Sequence, residues 1–176
     1  GSEHHLSHYW EMQFLFEGKP PVLHGTKVAI GTVAAGWMYQ KLLSIPVDFE
    51  AARRHAMEFD REKWEANIRA AYGPAAESVV ALEQEAGKNA PERVLARLDF
   101  LETHWEEIRS LIRARLPRLE TFVGMLQSLQ APWTPGQVGI REEQVAGAVR
   151  YAKDLRNRYG LLQLLFDLGV QGDMNK

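Results

Sequence analysis

Histidine is the residue type best able to do chemistry in the first part of this chain. Of its six histidines, four lie in two nearby segments, SEHHLSHYW and LHGTKVAIG. His4 and His8 are four residues apart, so on an α-helix their side chains lie on one face, one turn apart. His24 follows a turn that contains Pro20 and Pro21, and such a turn can fold it back over that helix.

The spacing of these histidines is compatible with more than one interpretation. A purification-tag remnant is disfavoured because Leu6 and Trp10 give the segment an amphipathic pattern, although Gly1-Ser2 can be native or a scar of tag removal. A half-buried, histidine-rich helix is a second interpretation. A metal site is the third, but a catalytic zinc centre takes three protein ligands and an open position. Glu11 is a possible third ligand.

His24 is expected to begin the second helix. At that position it lies at the positive end of the helix dipole, which favours the neutral imidazole. A neutral imidazole is the form that binds a metal. The position of His24 therefore favours the metal-site interpretation without deciding it.

Composition limits the classes of function. The chain has 176 residues, 45% hydrophobic and 25% charged, which is typical of one globular domain. A net charge of −2 gives no electrostatic case for binding nucleic acid or an anionic membrane. Cysteine is absent, which excludes disulfides and thiolate metal sites and fits a cytoplasmic location. The sequence shows no signal peptide and no apolar stretch long enough to span a bilayer.

Helical periodicity runs through nearly the whole sequence, and no alternating strand pattern occurs. The pattern predicts an all-α fold, a multi-helix bundle of about seven to nine helices. Pro117 and the irregular segment 131–140 interrupt it. The expected helices run from a Ser2 cap to Phe16, from His24 to about residue 44, from an Asp48 cap to Met57, from an Asp60 cap to Tyr72, over 75–86, from Pro91 to Pro117, from Leu119 to Leu129, from Arg141 to Arg158 and from Leu161 to Leu168.

Residues 1–170 are expected to form one helical domain, and 171–176 a polar, frayed C-terminal tail. Trp37, Trp64 and Trp105 recur at helical spacing and are expected in the core. His55 and His104 lie on polar faces and are expected at the surface. The apolar segment 161–168 is compatible with either a core helix or an interface.

Three segments resemble a known family. LHGTKVAIGTVAAG resembles the LHGxxVAIG segment of the superfamily of dehydroquinate synthase, glycerol dehydrogenase and the iron-type alcohol dehydrogenases. SEHHLSHYWEM and YAKDLRNRYGLLQLLFDLG resemble the glycerol-1-phosphate dehydrogenases, in particular the AraM-like kind. The resemblance covers essentially the whole chain and implies the helical C-terminal domain of that family.

The resemblance also implies roles for the histidines. His4 and His24 match the two histidine ligands of the family's metal, zinc or nickel. His8 matches a histidine that lines the substrate and nicotinamide pocket, so it is the expected catalytic residue. His5 has no counterpart and is expected to pack or orient, and Lys27 fits the motif without an implied chemical role.

For the full-length enzyme the resemblance implies reversible, NAD(P)H-dependent reduction of dihydroxyacetone phosphate to glycerol 1-phosphate, with a homodimer possible. The family's Asp ligand and dinucleotide-binding lobe precede this domain, and no G-x-G-x-x-G occurs here. The chain by itself is therefore expected to be inactive and to bind metal weakly. The alternatives are a dehydroquinate synthase-like or polyol dehydrogenase domain, and a non-catalytic helical interaction module.

Overall fold

The computed structural model describes residues 1–175, with side chains described for 1–174. This range contains no strand, which confirms the predicted all-α fold, and none of its helices is long and apolar enough to cross a membrane. Within residues 1–175, four short 3₁₀ segments accompany the α-helices. The α-helices are α1 (Ser2–Phe16), α2 (His24–Ser44), α3 (Phe49–Met57), α4 (Arg61–Tyr72), α5 (Ala76–Ala86), α6 (Pro91–Arg115), α7 (Leu119–Ser128), α8 (Glu142–Tyr151) and α9 (Leu161–Asp167).

Local sequence signals explain several helix boundaries. The Asp48 and Asp60 carboxylates accept hydrogen bonds from backbone N–H groups of the first turns of α3 and α4, at 2.9 and 3.0 Å. Gly87 ends α5 in the left-handed conformation, with φ of 58°. Pro91 is the first residue of α6, where its missing N–H costs nothing. These boundaries match the sequence prediction because a cap depends only on neighbouring residues.

The end of α8 differs from the prediction. The helix stops at Tyr151 and continues as a 3₁₀ segment over Ala152–Leu155, so the expected longer helix is wrong. At this point the buried Lys88 ammonium donates hydrogen bonds to the backbone carbonyls of Lys153 and Arg156. These two carbonyls accept hydrogen bonds from the Lys88 side chain instead of from backbone N–H groups one helical turn further on. The contact with Lys88 therefore stabilises the irregular turn.

Three side chains are placed differently from the expectation. Ser2 is the first helical residue rather than a cap, and its hydroxyl packs beside Gly160. Trp37 is 40% exposed and lines an apolar groove to which α2 and α7 contribute. Met174 is buried against the core within the 3₁₀ segment Gln171–Asn175. Residue 176 lies outside the described residues.

The core contains the apolar faces of α1 and α2 and the whole of α9. Every residue of α9 from Leu161 to Asp167 is buried, so this helix belongs to the core of the domain. Trp64 and Trp105 are buried, as predicted. On α1 the buried side chains include Leu6, Trp10 and Phe14, and the Trp10 indole N–H donates to the Gln144 carbonyl at 3.2 Å.

The histidine face of α1 lies on the side that packs against α2. Since the opposite face of α1 is held in the core, the histidines have a defined orientation relative to α2. This packing is what positions the candidate site.

Candidate metal and substrate site

Three of the four N-terminal histidines converge where α1 meets α2. The ring centres of His4 and His24 are 5.7 Å apart, and those of His8 and His24 are 5.5 Å apart. His24 is the first residue of α2 and lies over α1, as the Pro-containing turn predicted. One imidazole from α2 therefore stands close to two imidazoles from successive turns of α1.

The spacing of His4 and His24 suits a shared metal ion. Zinc–nitrogen bonds are about 2.0–2.1 Å long and an imidazole centre lies roughly 1 Å beyond its nitrogen, so two rings on one tetrahedral ion have centres about 5 Å apart. The Nδ1 atom of His4 is 3.0 Å from the Glu3 carboxylate. A carboxylate on Nδ1 orients the ring and leaves Nε2 for a metal, as is usual for metal-binding histidines.

Within residues 1–175 no group of three His, Asp or Glu side chains is arranged as a complete metal site. His4 and His24 therefore fit two of the protein ligands of such a site. A third ligand from elsewhere would complete the three protein ligands that a catalytic centre requires.

His8 belongs to a chain of polar contacts that runs between the two helices. Its Nδ1 atom lies 3.3 Å from Oε2 of Glu11, and Oε1 of Glu11 accepts a hydrogen bond of 3.0 Å from the Lys27 ammonium. The hydrogen bond from Lys27 holds the pKa of Glu11 below its usual value, with burial acting against it. Both carboxylate oxygens are thus engaged, and Glu11 contacts Lys27 and His8 rather than acting as the third ligand that spacing suggested.

His5, which lies next to His4 in sequence, is buried. Burial lowers the pKa of His5 to about 4, and the positive charge of Lys88 acts in the same direction. The imidazole is therefore neutral near neutral pH. This environment agrees with the expected packing role.

A cleft of about 270 Å³ opens beside His8. It is large enough for a small, three-carbon phosphate, although it is smaller than typical drug-sized pockets. The exposed Arg156 stands at its edge and supplies a guanidinium, a group suited to phosphate. The cleft is lined by His5, His8, Glu11, Met12, Ala75, Ser78, Val79, Leu82, Leu155 and Arg156.

A larger hollow of about 360 Å³ lies elsewhere, between α3, α4 and the C-terminal residues. It contains one histidine, His55, which packs edge-on against Phe166 at 5.8 Å between ring centres. Of its basic groups, Lys63 and Arg150 are exposed surface side chains, and the buried Lys153 ammonium donates hydrogen bonds to Asn89 and Asp154. The cleft beside His8 is smaller, but His8, which lies next to His24, lines it together with Arg156, so it is the better candidate for chemistry.

The sequence did not predict the roles of three residues of the site. Glu3 orients His4, Lys27 binds Glu11, and Arg156 lines the cleft. One signal was available for Lys27, since it is a charged residue in the mostly apolar first half of its helix and lies three positions after His24, on the same face. Arg156 comes from a distant segment, and no local pattern connects it with the histidines.

The proteins that this chain resembles are dehydrogenases. It is 31% identical over 169 residues to a protein of Geobacillus stearothermophilus named glycerol-1-phosphate dehydrogenase (NAD(P)+), a match that covers 96% of this chain and 33% of the relative. A protein of the same name from Bacillus licheniformis is 34% identical over 170 residues, covering 97% of this chain and 29% of the relative. A shorter match of 40 residues to the protein of that name from Halalkalibacterium halodurans is 52% identical.

The chain therefore belongs to the glycerol-1-phosphate dehydrogenase family, and it spans about a third of the length of the relatives it matches. This extent is consistent with the C-terminal helical domain that the sequence resemblance implied. No family model matches the chain. No solved structure matches it either.

Proposed function

We propose that this chain is the metal-binding helical domain of an NAD(P)-dependent glycerol-1-phosphate dehydrogenase. The enzyme would interconvert dihydroxyacetone phosphate and glycerol 1-phosphate. The observation that carries the proposal is the convergence of His4, His8 and His24, of which His8 also lines a cleft, in a chain homologous to enzymes of that name. A dehydroquinate synthase-like or polyol-dehydrogenase domain is less well supported, because the relatives reported above carry the glycerol-1-phosphate dehydrogenase name.

His4 and His24 are the proposed metal ligands, each through one imidazole nitrogen. Glu3 orients the His4 ring by its contact with Nδ1 at 3.0 Å. The family resemblance implies an Asp from a preceding segment as the further ligand. A bound zinc or nickel ion supplies Lewis-acid polarisation of the substrate oxygen.

His8 is the proposed catalytic residue. With a proton on Nδ1, its Nε2 atom is a free acceptor and can take the hydroxyl proton of glycerol 1-phosphate. In the reverse direction the same nitrogen returns that proton to the oxygen of dihydroxyacetone phosphate. The Glu11 carboxylate beside Nδ1 stabilises the imidazolium formed in between.

Arg156 is the proposed contact for the phosphate of the substrate. It lines the same cleft as His8, and a guanidinium binds phosphate through two parallel hydrogen bonds. Hydride transfer requires NAD(P)H, which the family binds mainly through its dinucleotide-binding lobe. The described residues contribute the metal ligands, the proton acceptor and the phosphate contact.

A metal titration of the purified chain tests the ligand roles. With zinc or nickel added, we expect the imidazole resonances of His4 and His24 to shift together, at the weak affinity expected of two ligands. His4→Ala and His24→Ala should each lower that affinity at least tenfold, whereas His55→Ala, an exposed histidine beside Phe166, should leave it unchanged. Resonances that fail to move together in a folded chain would contradict the proposal and favour a non-catalytic helical module.

A further inference from the structure

Lys27 is a buried charge inside a mostly apolar helix. Its side chain is 1% exposed, and its one hydrogen-bond partner among the described residues is Oε1 of Glu11, at 3.0 Å. Burying an ammonium is costly, and a hydrophobic side chain of similar volume is often at least as stable. The core packing of α2 alone therefore does not explain a lysine at this position.

Glu11 connects Lys27 to His8. The Glu11 side chain is 45% exposed, and a carboxylate so exposed is poorly held by a surface contact alone. Its bond to the buried Lys27 fixes one oxygen, and the other then lies 3.3 Å from Nδ1 of His8. The hydrogen-bonded route from Lys27 to His8 runs through this carboxylate.

The contact favours one position for the proton on the His8 ring. An ionised carboxylate can only accept hydrogen bonds, so Nδ1 of His8 must donate. In the neutral imidazole the proton is then on Nδ1, and Nε2 is an acceptor. That is the form of His8 that can take a proton from a ligand in the cleft that it lines.

We propose that Lys27 and Glu11 are positioning residues for His8, which hold it in the Nδ1–H tautomer and keep Nε2 free as the proton acceptor. The use of Nε2 in catalysis rests on the proposed function, but the tautomer itself does not. A purely structural role for Lys27, in which it only ties α2 to α1, would leave the tautomer unaffected. The two roles are therefore separable by measurement.

The experiment is a long-range ¹H–¹⁵N NMR spectrum of the metal-free, ¹⁵N-labelled chain at about pH 8, above the usual imidazole pKa. We expect His8 in the unmodified chain to show the Nδ1–H pattern. Lys27→Met and Glu11→Ala should both lose that pattern and give a mixture of tautomers, whereas Lys27→Arg should retain it. Lys153→Met is the matched control, because Lys153 is another buried lysine and pairs with Asp154 instead.

Circular dichroism of each variant establishes that it folds. If folded Lys27→Met keeps the Nδ1–H pattern of His8, Lys27 is structural and the proposal is wrong. If Lys27→Met does not fold, the test is the spectrum of Glu11→Ala, in which the replaced side chain is half-exposed. If His8 keeps the Nδ1–H pattern in that variant, the proposal is wrong as well. Because no metal is present, this result is independent of the zinc and nickel titration, and either proposal can fail alone.

Discussion

A β-carbon placed on Gly31 of α2 would lie 2.6 Å from the backbone carbonyl oxygen of Glu3 in α1. No real side chain tolerates that distance, so the two helices approach here as closely as backbones allow. Glu3 precedes His4, and Gly31 is two turns beyond His24 on α2. The absence of a side chain at Gly31 therefore permits the helix contact that brings the two imidazoles together.

Gly31→Ala should accordingly separate α1 from α2. We expect a loss of about 1–3 kcal/mol in the free energy of unfolding, the usual cost of overpacking a core. Metal affinity should fall as well, because His4 and His24 no longer share one ion. Chemical denaturation and zinc titration measure the two effects.

Gly124→Ala is the matched control for this substitution. Gly124 lies inside α7 with open space around its α-carbon, so alanine should leave stability unchanged or raise it slightly. A Gly31→Ala chain as stable as this control would contradict the close-packing explanation.

The ion pair of Arg97 and Asp167 should be a major determinant of stability. Two guanidinium nitrogens donate to the two Asp167 oxygens at 2.6 and 2.8 Å, and the carboxylate is fully buried. Arg97→Ala leaves that charge buried without its partner, which costs about 3–5 kcal/mol. Thermal or denaturant unfolding measures the loss.

Arg53→Ala provides the comparison for Arg97. Arg53 also binds two acidic side chains, Asp99 and Glu102, but those carboxylates are exposed to solvent. We expect little change in stability for Arg53→Ala. Equal losses in the free energy of unfolding for Arg97→Ala and Arg53→Ala would mean that the burial of Asp167 does not strengthen its ion pair with Arg97.

Lys88 should make stability depend on pH in the alkaline range. Burial lowers the pKa of Lys88 to about 8, with the charge of Asp154 acting against it. Between about pH 8 and the ordinary lysine pKa near 10.4, the unfolded chain holds more protons at this residue than the folded chain does. The Lys88 contribution to stability therefore rises with pH in this window, by at most about 1.4 kcal/mol per pH unit.

Denaturant unfolding of the chain and of Lys88→Met across this window tests the effect. We expect the free energy of unfolding of Lys88→Met to rise less steeply with pH than that of the unmodified chain, because the variant lacks the titrating ammonium. Parallel pH profiles for the two proteins would show that Lys88 titrates normally in the folded state.

Arg156 should recognise the phosphate of a ligand in the cleft beside His8. We expect glycerol 1-phosphate, but not glycerol, to perturb the NMR resonances of His8 and Arg156. Arg156→Ala should weaken that binding about tenfold, equivalent to about 1.4 kcal/mol. Arg158→Ala is the control, since Arg158 is an exposed neighbour that does not line the cleft. Equal losses for both arginines would point to general charge attraction instead.

The part of the fold that was predicted from the sequence depends on near neighbours. Asp48 and Asp60 begin their helices through bonds to their own first turns, and Gly87 and Pro91 act through their own backbone geometry. For the site, the spacing of His4 and His8 was enough to place both on one face of α1. A helix repeats every 3.6 residues wherever it packs, so this relation holds before any tertiary contact forms.

The tertiary structure alone decided the remaining relations. The break after α8 depends on Lys88, and the role of Glu11 depends on Lys27, which lies on another helix. Sequence periodicity identifies an apolar face but not the partner it packs against, so Trp37 could not be distinguished from Trp64. The location of each helix follows from short-range geometry. The pairing of charges and the convergence of imidazoles depend instead on how whole helices pack against one another.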